Sequence, residues 1–170
     1  VIAKFRARWP WVDQVHIWGM TETGPAGTYL APWFLPRKAG CIGAPQPGCA
    51  VRVVDDAGEP VATGETGEIV FSGPSAALGY WRNPEATAQT FIDGWVRTGD
   101  IGRFDTEGHL HFVDRKKDII NRGGLKIASA AVEEVLYRHE GVLEACVVGL
   151  QSELWGETIH AVVVPRPGFE

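Results

Sequence analysis

The chain has 170 residues, 45% of them hydrophobic and 22% charged, with a net charge of −5. That is enough for one good core or two small ones, and the acidic balance argues against a general nucleic-acid binder. Cys41, Cys49 and Cys146 form no CxxC pair and cannot all be bridged, which suits a reducing cytoplasm. No uninterrupted apolar run approaches the ~20 residues needed to span a bilayer, and the start does not read as a signal peptide.

The first stretch, Val1–Arg8, places Ile2 and Phe5 at helical spacing with Trp9, and Pro10 ends the run. A short strand over Gln14–Trp18 empties into Gly19-Met20-Thr21-Glu22-Thr23-Gly24. A strand ending in glycine, hydroxyls and one acid is a recurrent way to build a site. Thr21 and Thr23 can donate to phosphate oxygens, Glu22 can hold Mg²⁺, a hard cation that prefers oxygen ligands, and Trp18 offers a flat face for a base. An ordinary turn beside a buried Trp accounts for the same residues.

From Pro25 to Gly48 the chain is rich in Gly and Pro around Trp33-Phe34-Leu35, and is expected to form a long ordered loop. Short strands with turn punctuation then run to Val113, including Val51–Val54, Glu68–Phe71, Trp95–Arg97, Ile101–Phe104 and His109–Val113. Their spacing predicts a small antiparallel barrel or sheet. Asn83-Pro84-Glu85 opens a short helix, with Asn as N-cap and Pro at the first helical position.

The stretch from Gly94 to Lys126 leaves a carboxylate at Asp100, turns through Thr106-Glu107-Gly108, and returns with Arg115, Lys116, Lys117, Arg122 and Lys126 around Gly123-Gly124. A carboxylate can accept from both hydroxyls of a ribose edge, each charge-assisted bond being worth roughly 1.5–3 kcal/mol. Cations suit phosphates, and paired glycines let backbone approach a ligand. A polar hairpin followed by a solvated basic turn fits these residues equally well. Beyond it, Ile119-Ile120 should pair in a small hairpin before Gly123. Ser129 should N-cap a helix over Ala130–Glu140, with Val132, Val135 and Leu136 as its apolar stripe and Gly141 as its stop. Apolar strands near Ala145–Leu150 and Thr158–Val164 follow. His109 and His111 share a strand face without a third ligand at useful spacing and are read as sheet residues. Cys49 and Cys146 are read as small buried side chains.

Taken in order, four stretches resemble the adenylate-forming superfamily of acyl-CoA synthetases, luciferases and peptide-synthetase adenylation domains. Trp18-Gly19-Met20-Thr21-Glu22 resembles its YGxTE motif. Gly67-Glu68-Ile69, Gly73-Pro74, Gly79-Tyr80 and Pro84-Glu85-Ala86-Thr87 resemble its GEI…GP…GY…PExT segment. Trp95–Asp100 matches W-x-x-TGD, and Asp114-Arg115-Lys116-Lys117-Asp118 resembles the (G/D)RxKD hinge. The resemblance implies an α+β fragment of a larger α/β enzyme: the end of the large domain over residues 1–113, a hinge over 114–118, and the start of a lid domain over 119–170. Within the first part, residues 1–40 would form the nucleotide and acyl-site strand and loop, and 41–113 a small distorted antiparallel β-barrel.

By the same resemblance, Trp18, Gly19, Met20, Thr21, Asp100, Phe112 and Arg115 would bind ATP or AMP. Glu22 would carry Mg²⁺, Thr21 would touch phosphate, and Lys117 would mark the hinge on which the lid swings between two half-reactions. Gly123, Gly124 and Lys126 would lie along the channel for coenzyme A. The implied chemistry is carboxylate plus ATP to acyl-adenylate and pyrophosphate, then capture of the acyl group by a thiol. The cofactors would be ATP, Mg²⁺ and coenzyme A; the partner would be a small fatty or aryl acid, with no nucleic acid and no membrane span. The family's Gly/Ser/Thr-rich phosphate loop and its catalytic lid lysine have no counterpart in this sequence, so the isolated segment is expected to be inactive. The Asp114–Gly124 run DRKKDIINRGG is closer to CoA ligases than to the GRxDxQVKIRG of amino-acid-activating domains. The alternatives are such a carrier-loading domain, or a truncated non-catalytic module whose open strand edge is covered by self-association.

Overall fold

A computed structural model of the chain describes residues 2–35, 37, 38 and 40–169. Two compact units divide it: residues 1–98 with 102–112, and residues 99–101 with 113–170.

In the first unit, helix α1 (Ile2–Arg8) ends before Pro10, with the Phe5 ring tilted at 46° against Trp9, centroids 4.7 Å apart. Strand β1 (His16–Met20) folds back on β2 (Gly24–Leu30), which in turn pairs with β3 (Cys41–Pro45). The expected loop over Pro25–Gly48 is therefore interrupted by strand over residues 25–30 and 41–45. Its Gly- and Pro-rich composition has low strand propensity, but cross-strand pairing and burial of Leu30, Cys41 and Ile42 override that preference. Thr28 donates its hydroxyl to the Ile42 carbonyl, tying β2 to the start of β3. The described residues between β2 and β3 lie outside the ladder and include the Trp33–Phe34 turn, with Trp33 mostly exposed.

Strands β4 (Ala50–Val54) and β5 (Gly67–Ser72) pair antiparallel, with Val53 opposite Ile69. Helix α2 (Pro84–Thr90) starts on Asn83, whose Oδ1 accepts from the Ala86 N–H at 3.1 Å. Strand β6 (Phe91–Ile92) pairs with the long β7 (Trp95–Phe104), and β8 (Leu110–Arg115) completes the set. The sheet runs as an open path β1-β2-β3-β8-β7-β5-β4, with β6 attached to β7. The fold class is α+β with antiparallel pairing, as the strand spacing implies. The barrel reading is corrected: among the described residues β1 and β4 end the path without closing it. Ile42, Val53, Ile69 and Leu110 form the core, with Trp18, Val51, Val61 and Phe104 packed around it.

In the second unit, β9 (Ile119–Arg122) and β10 (Leu125–Ala128) make the expected small hairpin. Its turn residues Gly123 and Gly124 have φ of 59° and 89°, the left-handed pair a tight two-residue hairpin demands. Strands β11 (Val142–Ser152) and β12 (Gly156–Pro165) form a long hairpin, and the order is β10-β9-β12-β11. Helix α3 spans Ser129–Tyr137, so it stops short of Gly141. Ser129 is its first residue rather than its cap, and no side chain of the N-cap residue, Ala128, can serve. The capping oxygen comes from Asp114 instead: Oδ2 accepts from the Ser129 hydroxyl at 3.0 Å and the Ala130 N–H at 3.2 Å. Val132 and Leu136 are half-buried, whereas Val135 faces solvent. Cys146 is exposed, not buried, because it falls on the outward phase of β11.

Candidate functional site

The β1–β2 hairpin closes on Met20 opposite Gly24, so Thr21-Glu22-Thr23 form its turn. A register shift between Trp18 and Met20 makes Gly19 the irregular residue. Thr23 is fully buried and committed to the turn: its hydroxyl accepts from the Met20 N–H at 2.9 Å and donates to the Met20 carbonyl at 3.2 Å. The reading of Thr23 as a phosphate donor is therefore withdrawn. Thr21 is exposed and Glu22 half-buried. Gly24 has φ +78°, and a Cβ there would lie 2.9 Å from the Ser75 Cβ, so only glycine fits.

The turn is held from outside by the segment after β5. Ser75 Oγ donates to the Thr23 carbonyl at 2.7 Å, the Ala77 N–H donates to the Glu22 carbonyl at 2.9 Å, and the Tyr80 phenol donates to Glu22 Oε1 at 2.5 Å. Burial and the negative charge of Glu22 raise the Tyr80 phenol above its ordinary value, the bond to Glu22 being the main cause. A depression of about 320 Å³ is lined by Gly19, Met20, Thr21, Gly24 and Pro25. Trp18 is half-buried, packed against the core and over Gly27, where a Cβ would come within 3.0 Å of its ring. Part of that ring thus serves packing.

In β7 burial alternates strictly, which puts Val96, Thr98 and Asp100 on the covered face. Thr98 donates to the Ile69 carbonyl at 2.6 Å. Asp100 is 4% exposed, and its Oδ1 lies 2.8 Å from Nη1 of Arg115. Arg115 is itself positioned by Asp114, whose Oδ1 accepts the Arg115 N–H at 2.8 Å. Phe112 sits on β8 with its side chain 37% exposed.

Lys117 is exposed in a single 3-10 turn, Lys116–Asp118. Gly123, Gly124 and Lys126 share the β9–β10 hairpin and are exposed. The Gly123 N–H donates to the Trp155 carbonyl at 2.7 Å, and a Cβ at Gly123 would stand 3.1 Å from the Trp155 ring. The structure therefore brings the expected residues together in three local groups: Trp18 to Glu22 at the end of β1 and on its turn, Asp100 with Arg115, and the Gly123-Gly124 hairpin with Lys126.

Sequence reasoning left Tyr80 without a role; its motif position was visible, but its contact with Glu22 spans 58 residues of chain. It also missed an ionic cluster between the Phe34 turn and the β7–β8 turn. Asp105 Oδ2 meets Lys38 Nζ at 2.5 Å and His111 Nε2 at 3.0 Å. Its Oδ1 accepts the N–H groups of Glu107 and His109, each at 2.9 Å. Burial alone would raise this carboxyl, but the bonds from Lys38, His109, His111 and Glu107 outweigh it and hold it well below the usual carboxylate range. His111 is thereby committed to Asp105, and no group of three or more acidic, His or Cys residues suited to a metal exists among the described residues.

Two family comparisons match: the AMP-binding enzyme family over residues 1–81 and the AMP-binding enzyme C-terminal domain over residues 131–170. Indoleacetate–CoA ligase of Aromatoleum aromaticum is 44% identical over 157 residues, covering 92% of this chain and 31% of that protein. Feruloyl-CoA synthase of an Amycolatopsis species is 45% identical over 154 residues, covering 91% and 31% respectively. Among solved structures, o-succinylbenzoate CoA synthetase from Bacillus subtilis in complex with its acyl-adenylate superposes with a TM-score of 0.88 at 34% identity, over 98% of this chain and 34% of that one. The same enzyme with ATP and magnesium gives 0.81 at 37% identity, over 89% and 31%. The chain thus spans about a third of the length of these relatives, in a region that carries both matched stretches. It belongs to the AMP-binding enzyme family.

Proposed function

We propose that this segment is part of an AMP-forming carboxylate–CoA ligase. The full protein would join a carboxylic acid to ATP, giving an acyl-adenylate and pyrophosphate, and then pass the acyl group to the thiol of coenzyme A with release of AMP. One observation carries the reading: a chain 44% identical to a CoA ligase holds a buried Asp100 within 2.8 Å of Arg115. A buried carboxylate beside a guanidinium suits the paired hydroxyls of a ribose edge.

Each local group takes a share of the work. Asp100 and Arg115 bind the nucleotide's ribose, and Thr21 donates its exposed hydroxyl to a phosphate. Trp18, Gly19 and Met20 line the base and acyl side, with Phe112 as a further wall. Glu22 suits Mg²⁺: it is a half-buried hard oxygen donor that belongs to no group of three or more candidate ligands among the described residues, and Mg²⁺ is held by one or two carboxylates plus substrate phosphates. When bound, the ion would neutralise charge on the phosphates as pyrophosphate departs. Residues 114–118 act as a hinge around Lys117, between the large domain ending at 113 and the lid beginning at 119. Gly123, Gly124 and Lys126 flank the path of coenzyme A. The aromatic acids in the names of two relatives favour the aryl side of a fatty-or-aryl range, and the free cysteines suit the cytoplasm.

The test is pyrophosphate exchange by the full-length protein with a panel of carboxylic and amino acids, followed by thioester formation with and without coenzyme A. Exchange with a fatty or aryl acid and a CoA-dependent product is the expected result. Exchange with an amino acid and no CoA product would overturn it in favour of carrier loading. Asp100→Ala should lower kcat/KM for ATP by roughly 10- to 100-fold, the worth of one charge-assisted bond. The 170-residue segment alone should show no turnover, and saturable micromolar binding of ATP to it by calorimetry would contradict that.

A further inference from the structure

Glu22 lies at the centre of a three-residue turn, where a long flexible carboxylate would ordinarily sample several rotamers. Here it does not stand alone. The Tyr80 phenol donates to Oε1 at 2.5 Å, a short charge-assisted bond, while Oε2 makes no hydrogen bond to a described residue. We propose that Tyr80 is a positioning residue: it fixes the Glu22 carboxylate so that one oxygen is taken and the other is presented to a cation carried by a polyphosphate.

Tyr80 is itself seated by the start of α2. Its N–H donates to Thr87 Oγ1 at 2.9 Å, and that hydroxyl donates to the Asn83 carbonyl at 2.7 Å. The same Asn83 caps the helix through Ala86. The Tyr80 ring meets Phe91 edge-on, with centroids 5.4 Å apart and planes at 70°. Gly79 adopts φ +150°, and a Cβ there would lie 2.6 Å from Thr87 Cγ2, so the chain passes α2 at a distance no side chain allows. Behind the turn, the Ala77 N–H and the Ser75 hydroxyl hold the carbonyls of Glu22 and Thr23. Backbone and side chain of Glu22 are thus both fixed from the 75–80 segment, and the capped helix end fixes that segment in turn. Among the described residues, Glu22, Ser75, Ala77 and Tyr80 are not members of the core cluster around Ile42, Val53, Ile69 and Leu110.

The inference rests on the reading of Glu22 as the metal-bearing carboxylate. Its test is Tyr80→Phe in the full-length protein, which keeps the ring and its contact with Phe91 and removes the hydroxyl, with its bonds to Glu22 and Thr90. Mn²⁺ serves as the probe, its binding in the presence of ATP followed by electron paramagnetic resonance. Loss of a half-exposed charge-assisted bond should weaken Mn²⁺ binding about three- to tenfold, and the Mg²⁺ concentration for half-maximal pyrophosphate exchange should rise by a similar factor. Glu22→Gln serves as the reference and should lose more. Wild-type Mn²⁺ affinity in Tyr80→Phe, with Glu22→Gln impaired, would overturn the positioning role and leave Glu22 as read. Wild-type affinity in Glu22→Gln would overturn the assignment of Glu22, and the proposal with it. A lower melting temperature of ligand-free Tyr80→Phe with unchanged Mn²⁺ affinity would assign the hydroxyl to stability alone, and would also overturn it.

Discussion

Helix α3 depends on a carboxylate that precedes it by fifteen residues, and replacing that carboxylate should loosen the helix. Asp114 is 5% exposed and accepts three bonds: from the Arg115 N–H at 2.8 Å, the Ser129 hydroxyl at 3.0 Å and the Ala130 N–H at 3.2 Å. Asp114→Ala removes the acceptor for all three. Loss of a capping side chain costs about 1 kcal/mol, and each buried donor left unsatisfied adds about 1–3 kcal/mol. The Ser129 hydroxyl can rotate to another acceptor and the Arg115 N–H lies nearer solvent, so the sum is set at about 2–4 kcal/mol. Ser129→Ala removes one of the three bonds and should cost about 1 kcal/mol. Because the two side chains share a bond, the double variant should lose less than the sum of the single losses, by about 1 kcal/mol. Hydrogen exchange of the amides in residues 129–137 reads this locally. Each tenfold loss of protection corresponds to about 1.4 kcal/mol, so Asp114→Ala should lower protection by about 30-fold or more. A loss below threefold, or strict additivity in the double variant, would refute the view that Asp114 supplies the cap.

Ile69 is fully buried in β5 at the centre of the core, so Ile69→Ala should cost about 3–4 kcal/mol in unfolding free energy, measured by denaturant titration with the tryptophans as probe. Asp105 gives a pH dependence of definite sign. Its folded carboxyl is held below the ordinary value of 3.8 by Lys38, His111 and the N–H groups of His109 and Glu107. The stability it contributes is therefore present above pH 3.8 and is lost as pH falls further toward its folded value. Lys38, raised above 10.5 mainly by the same bond, contributes below that pH and loses its share as pH rises through its folded value. Melting temperature of the wild type should fall more steeply below pH 4 than that of Asp105→Asn, in which no carboxylate remains to protonate; parallel curves would refute the cluster's role.

The sequence by itself determined what depends on local pattern and motif order. Asn83-Pro84 announced a helix start because an oxygen acceptor followed by a residue without an N–H suits that position and few others. Ile119-Ile120 announced a small hairpin, but its turn falls on Gly123-Gly124, both left-handed, a conformation glycine takes without strain. Trp95–Arg97 and Ile101–Phe104 announced the two ends of β7, which runs unbroken through Thr98-Gly99-Asp100, and the order of four motifs announced the family.

Tertiary structure decided the rest, since the deciding partner lay far along the chain. Pro25–Gly48 looked like loop because strand propensity is weak there, yet β1 and β8 supply ladders that its own residues could not foretell. Ser129 looked like a cap because it precedes an amphipathic run, yet Asp114 reaches the same N–H groups and moves the serine inside the helix. Thr23 looked like a phosphate donor until burial committed its hydroxyl to the Met20 turn. The side chain of Glu22 was nameable from its motif; the phenol that holds it, 58 positions later, was not. A hydrogen bond joins atoms in space, and sequence spacing predicts it only where secondary structure fixes the distance between them.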